Sequence, residues 1–171
     1  MKKTNKIILN IAYWEAYFIF LFLLILAATP GFKSGPDISY ILKLGIGVAV
    51  VPAMVSFYVH YGKLFDNFVK PKKYKELALC SLLTALGSAA VGSIDIVLFF
   101  GTDFLTRAGG NSFIGSLIMM SGIAAFNGIM GIMLRGFIER FEEKKKNEEL
   151  LEKNKEMELA LVKSKLNPHF L

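Results

Sequence analysis

Four long, mostly apolar stretches constrain the fold of this chain more than any other feature. They run approximately over Ile7–Ala28, Ile41–Tyr61, Leu77–Phe100 and Phe113–Leu134. A helix needs roughly 20 mostly apolar residues to cross about 30 Å of hydrocarbon, and each stretch meets that length. Helix breakers separate them. Thr29-Pro30-Gly31 and Gly35-Pro36 follow the first, Lys70-Pro71-Lys72-Lys73 follows the second, and Gly101-Thr102-Asp103 with Gly109-Gly110-Asn111 follows the third. The connections are too short to hold a sensor domain outside the membrane.

The net charge of +6 accompanies a hydrophobic fraction of 54%, and its placement matters more than its size. The surplus lies at Lys2, Lys3 and Lys6 and at Lys63, Lys70, Lys72, Lys73 and Lys75, all flanking apolar segments. Lysines so placed fix topology and meet anionic membrane lipid, so no nucleic-acid partner is expected. The amino terminus, the 62–76 connection and the region from Arg135 onward are basic. The 29–40 and 101–112 connections hold only Lys33 and Arg107, offset by Asp37 and Asp103. The bias of positive loops to the cytoplasm predicts a multi-pass protein of the cell membrane with both termini cytoplasmic. Cys80 is the single cysteine, which excludes a disulfide framework and a thiolate metal site. The first stretch is too long for a signal peptide, and Glu15 interrupts it.

Glu15 falls near the middle of the first span and Asp95 in the outer third of the third. Lys43, His60 and Asn127 also lie within or at the ends of spans. A charge facing lipid costs a few kcal/mol or more, so these groups are expected to face the bundle or be neutralised. Two readings are open: a sensing cavity involving Glu15 and Asp95, or a structural Lys43–Asp95 pair with a protonated Glu15. Small residues four apart, Ala85/Ala89/Ser93 and Ala124/Gly128, are suited to close helix approach.

From Arg135 the fourth span is predicted to continue as a charged helical stalk. Glu, Lys, Leu and Met favour helix, and Gly136 is the one weak point before Pro168. Asn147, Asn154 and Leu161 share one position of a seven-residue repeat, and Leu150 and Met157 share the other seam position. Asparagine at a seam selects register and a two-stranded state, which predicts a parallel homodimer. A second apolar set, Leu159, Val162 and Leu166, leaves that seam and suggests a new packing environment near the end.

The chain closes on Leu161-Val162-Lys163-Ser164-Lys165-Leu166-Asn167-Pro168-His169-Phe170-Leu171. This resembles the phosphoacceptor box, L-K-x-Q-I-N-P-H-F-L-F-N, of sensor histidine kinases of the "histidine kinase, internal region" family. Asn167, Pro168, His169, Phe170 and Leu171 match it residue for residue, while Lys165 replaces Gln and Leu166 replaces Ile. Four plain membrane helices, a Phe57-Tyr58-x-x-Tyr61 segment before a basic loop, and a coiled stalk also look like that family. The resemblance implies that His169 is a phosphoacceptor whose neutral imidazole attacks the γ-phosphoryl group of Mg-ATP. It further implies onward transfer to an aspartate of a response regulator, of LytTR type in many such systems. ATP and Mg²⁺ are then cofactors of the full-length protein, held in a separate domain.

Residues 1–171 contain no Gly-rich phosphate loop and stop before the family's following F-N. The expectation is therefore an amino-terminal fragment, with no cofactor bound by this chain and no kinase activity of its own. The predicted fold is an all-α membrane protein of four transmembrane helices followed by a cytoplasmic coiled-coil stalk. Its expected parts are a four-helix transmembrane sensor domain over 1–134, a coiled-coil stalk over 135–160, and the truncated start of the phosphoacceptor helix over 161–171. Two other readings compete. One is a complete small tetraspan protein that recruits a partner through its coiled tail, and the other a small transporter using Glu15 and Asp95.

Overall fold

The computed structural model describes residues 3–28, 43–103 and 112–165, and within them it is helical, with no strand. Helix α1 is Lys3–Ala28. Helix α2 is continuous but composite: wide π-helical turns over Leu44–Val50, α-helix over Val51–Val59, and π-helical turns again over His60–Val69. Helix α3 is Tyr74–Phe100 and helix α4 is Phe113–Lys165. All four are long and apolar enough to cross a membrane.

The first set of wide turns in α2, over Leu44–Val50, has a local cause. Pro52 sits at the start of the α-helical segment. Proline lacks an N–H and crowds the carbonyl four residues before it, and a local π adjustment relieves both problems within a membrane helix. Past His60, i→i−5 bonding persists to the helix end, where Lys70 N–H donates to Phe65 O at 3.1 Å. That changes which residues point inward. His60, Leu64 and Phe65 are buried and Phe68 and Val69 are half-buried, while Lys63, Asp66 and Asn67 are exposed. The repeat lies between four and five residues rather than 3.6, so Lys63 and Asn67 escape the interior. At the far end of α3, Gly101 takes φ 86°, a conformation open to glycine, and caps Ile96 O.

The bundle is built on α2, α3 and α4, with α1 docked against α2 and mostly exposed. Glycines set the close approaches. A Cβ on Gly131 would lie 2.7 Å from the Phe57 carbonyl oxygen, and one on Gly92 would lie 2.6 Å from Pro52 Cγ. Such contacts let helix backbones approach where apolar burial against lipid gives no driving force and van der Waals packing must serve. Val48, Ala89, Ile96 and Met120 form the apolar core between α2, α3 and α4. Ala85, Ala89, Ser93, Ala124 and Gly128 are all buried, as their spacing predicts.

One end of the bundle is tied by charge. Lys6 Nζ lies 2.8 Å from a carboxylate oxygen of Glu142, and Lys70 Nζ lies 2.9 Å from both Asp66 and Glu139. These pairs bring the start of α1, the end of α2 and the segment after Leu134 to the same end, as the three basic segments predict. Helix α4 passes Gly136 without a break and runs on to Lys165, so the stalk is one helix with the fourth span. Every residue from Glu143 to Lys165 is exposed in the single chain, so the coiled-coil pairing of stalks is not part of the observed fold.

Candidate functional site

The segment that resembles a phosphoacceptor box, Asn167, Pro168, His169, Phe170 and Leu171, lies outside the described residues. The candidate features that the structure places are three: a buried polar node, a charged collar, and a groove between α1 and α2.

The node sits where α1, α2 and α4 meet. His60 is 1% exposed and Asn127 is fully buried. His60 Nδ1 lies 2.8 Å from the Ser56 carbonyl, which can only accept, so Nδ1 carries the proton. The ring rests on Gly128, where a Cβ would come within 2.7 Å of it. Asn127 accepts a 2.6 Å hydrogen bond from Tyr13 Oη and donates from Nδ2 to Ile123 O at 2.9 Å. Tyr13 stacks on Phe57 with ring centroids 4.6 Å apart, and Phe57 in turn stacks on Tyr61 at 5.8 Å. Tyr17 Oη donates to Ala49 O at 3.1 Å, a carbonyl within the π-helical turns of α2. Two tyrosine hydroxyls thus tie α1 to the interior of the bundle. Sequence reading marked His60 and Asn127 as polar groups at depth, and both face the interior. It did not single out Tyr13, Tyr17 or Ser56, whose aromatic and hydroxyl character is common in spans.

The collar lies at the charged end. Arg135 packs over Tyr61 and Phe65, 5.6 and 5.9 Å from the ring centroids, and its Nη2 is 3.9 Å from Asp66. Arg135 Nε and Glu139 Oε2 are buried without hydrogen-bond partners. Lys70 bridges α2 and α4, and its hydrogen bonds to Asp66 and then Glu139 hold its ammonium above the ordinary lysine range. The hydrogen bond from Lys6 holds the Glu142 carboxyl below the ordinary glutamate range.

The groove, about 580 Å³, opens between α1 and α2 and is lined by Lys6, Asn10, Trp14, Glu15, Tyr58 and Tyr61 among others. Trp14 Nε1 donates to Tyr58 Oη at 3.2 Å, and the two rings lie 6.1 Å apart. Glu15 is exposed to this groove rather than to the bundle interior, and no partner pairs with it among the described residues. Asp95 is half-buried on α3 and does not line the groove, so the structure does not bring Glu15 and Asp95 into one cavity. Lys43 lies over the Phe100 ring at 5.9 Å, and no ion pair joins it to Asp95. Neither the shared cavity nor the Lys43–Asp95 pair forms among the described residues.

Among the described residues no group of three or more His, Cys, Asp or Glu side chains is placed to hold a metal ion. The groove offers the Glu15 carboxylate, the Lys6 ammonium and aromatic faces to a ligand. No family model, curated protein or solved structure matches this chain.

Proposed function

We propose that residues 1–171 form the membrane sensor and dimerisation portion of a two-component sensor histidine kinase. In the intact protein, His169 accepts phosphate from ATP and passes it to a response regulator. The single observation that carries this reading is the Asn167-Pro168-His169-Phe170-Leu171 box directly after a charged helical stalk. The unbroken helix Phe113–Lys165 supports it, because a span that continues as the stalk offers a rigid route between membrane and box. On this reading the collar end of the bundle faces the cytoplasm, and two stalks pair in parallel along Asn147, Leu150, Asn154, Met157 and Leu161. Imidazole suits the role because it is substantially unprotonated near pH 7 and nucleophilic in that form.

The test uses the native gene product in membrane vesicles supplied with Mg-ATP. Acid-labile phosphate on the protein, lost in His169→Gln, is the expected result. Its absence from the wild-type product overturns the proposal and favours a tetraspan protein whose tail recruits a partner by helix pairing.

A further inference from the structure

The groove between α1 and α2 has a chemistry unlike the rest of the membrane-facing surface. Most of α1 presents Ile, Leu and Phe outward. On the groove side stand Glu15, the indole of Trp14, the ring of Tyr58 and Asn10. Glu15 lies eight residues beyond Ile7, where the first apolar stretch begins. At 1.5 Å per residue that is on the order of 12 Å along the helix, well inside the hydrocarbon thickness. An unpaired carboxylate at such depth calls for a proton or a positive partner. Lys6, the groove's own cation, lies a similar distance away and is engaged by Glu142.

We propose that this groove binds a lipophilic cation, a positive charge surrounded by apolar substituents, with Glu15 as its counter-ion. Three observations fit that occupant. The carboxylate supplies the opposite charge where water cannot screen it. Trp14 and Tyr58, fixed against each other by the indole hydrogen bond, offer π faces that attract cations. The volume, about 580 Å³, falls in the range of small-molecule sites. A phospholipid headgroup is excluded by depth, since it stays at the interface while Glu15 lies near the middle of the span. A nucleotide or other anion is excluded by the sign of Glu15. The site does not depend on His169 accepting phosphate; if the kinase reading holds, it names the class of signal sensed.

Trp14 is the only tryptophan in the chain, so its fluorescence reports on the groove directly. The experiment reconstitutes the full chain in lipid nanodiscs and titrates tetraphenylphosphonium, with tetraphenylborate as a control of the same shape and opposite charge. A saturable Trp14 response to the cation and none to the anion is expected. Glu15→Gln should weaken apparent affinity by about tenfold or more, equivalent to about 1.4 kcal/mol, while Glu15→Asp keeps most of it. Tyr58→Leu should weaken it several-fold. Circular dichroism and thermal midpoint verify that each variant folds. An absent saturable response, an equal response to the anion, or an unchanged affinity in folded Glu15→Gln each overturns the proposal. Phosphorylation plays no part in the readout, so failure here and failure of the kinase reading are separate results.

Discussion

At Gly131 a single hydrogen separates the backbones of α2 and α4. A methyl there would stand 2.7 Å from the Phe57 carbonyl oxygen, which cannot rotate away as a side chain could. Gly131→Ala should therefore force the helices apart and cost roughly 1–3 kcal/mol, the range for overpacking. Gly122→Ala, where a Cβ meets nothing within 4 Å, is the control and should be neutral or slightly stabilising. Thermal unfolding in detergent distinguishes the two. The Tyr13–Asn127 hydrogen bond permits a sharper residue-scale test. A double-mutant cycle with Tyr13→Phe and Asn127→Ala should return a coupling of about 0.6–1.7 kcal/mol, the range for hydrogen bonds between membrane helices. A coupling near zero would mean that stacking on Phe57, rather than this bond, holds α1 in place.

For whole helices, the apolar stretches were legible because hydrocarbon thickness imposes a length that composition reveals. Helices α1, α3 and α4 begin within a few residues of the expected positions. Helix α2 departs from the expectation by running past Tyr61 to Val69, and the reason is its wide turns. Lys63 and Asn67 would interrupt a buried stripe at a 3.6-residue repeat, and only the longer repeat carries them out to the surface. Pro52 was a clue to the wide turns over Leu44–Val50, but those over His60–Val69 begin beyond an ordinary α-helical segment and carry no such residue signal. Glu15 and Asp95 were legible as polar groups at depth, but their separation was not, because it depends on how α1 docks. The ties at the collar carry a pH dependence with a definite sign. Glu142 has a lowered carboxyl pKa, so its pairing with Lys6 is present above the ordinary glutamate range and is lost as pH falls through the lowered value. Spin labels at Thr4→Cys and Lys146→Cys, in a Cys80→Ala background, should report an unchanged distance from pH 7 to pH 5. The distance should broaden only at a pH below the ordinary glutamate range, where the lowered Glu142 carboxyl takes up its proton. Glu142→Gln should show the broadened state throughout.

For the whole molecule, the proposed parallel dimer makes a positional prediction. In the cysteine-free background, Met157→Cys should form an intermolecular disulfide within the membrane-bound protein. Glu152→Cys, placed opposite the seam, should form little. Equal crosslinking at both positions would indicate random collision of solvated single helices. The 53 residues of α4 amount to a rod about 80 Å long at 1.5 Å per residue. The part beyond Leu134 accounts for on the order of 45 Å of it, several times the roughly 8 Å over which physiological salt extinguishes an electric field. With Leu134 at the bilayer surface and the rod projecting from it, as proposed, lipid headgroup charge is silent at its tip. Whatever the bilayer communicates to that tip has to arrive as a twist, tilt or thrust of the rod itself.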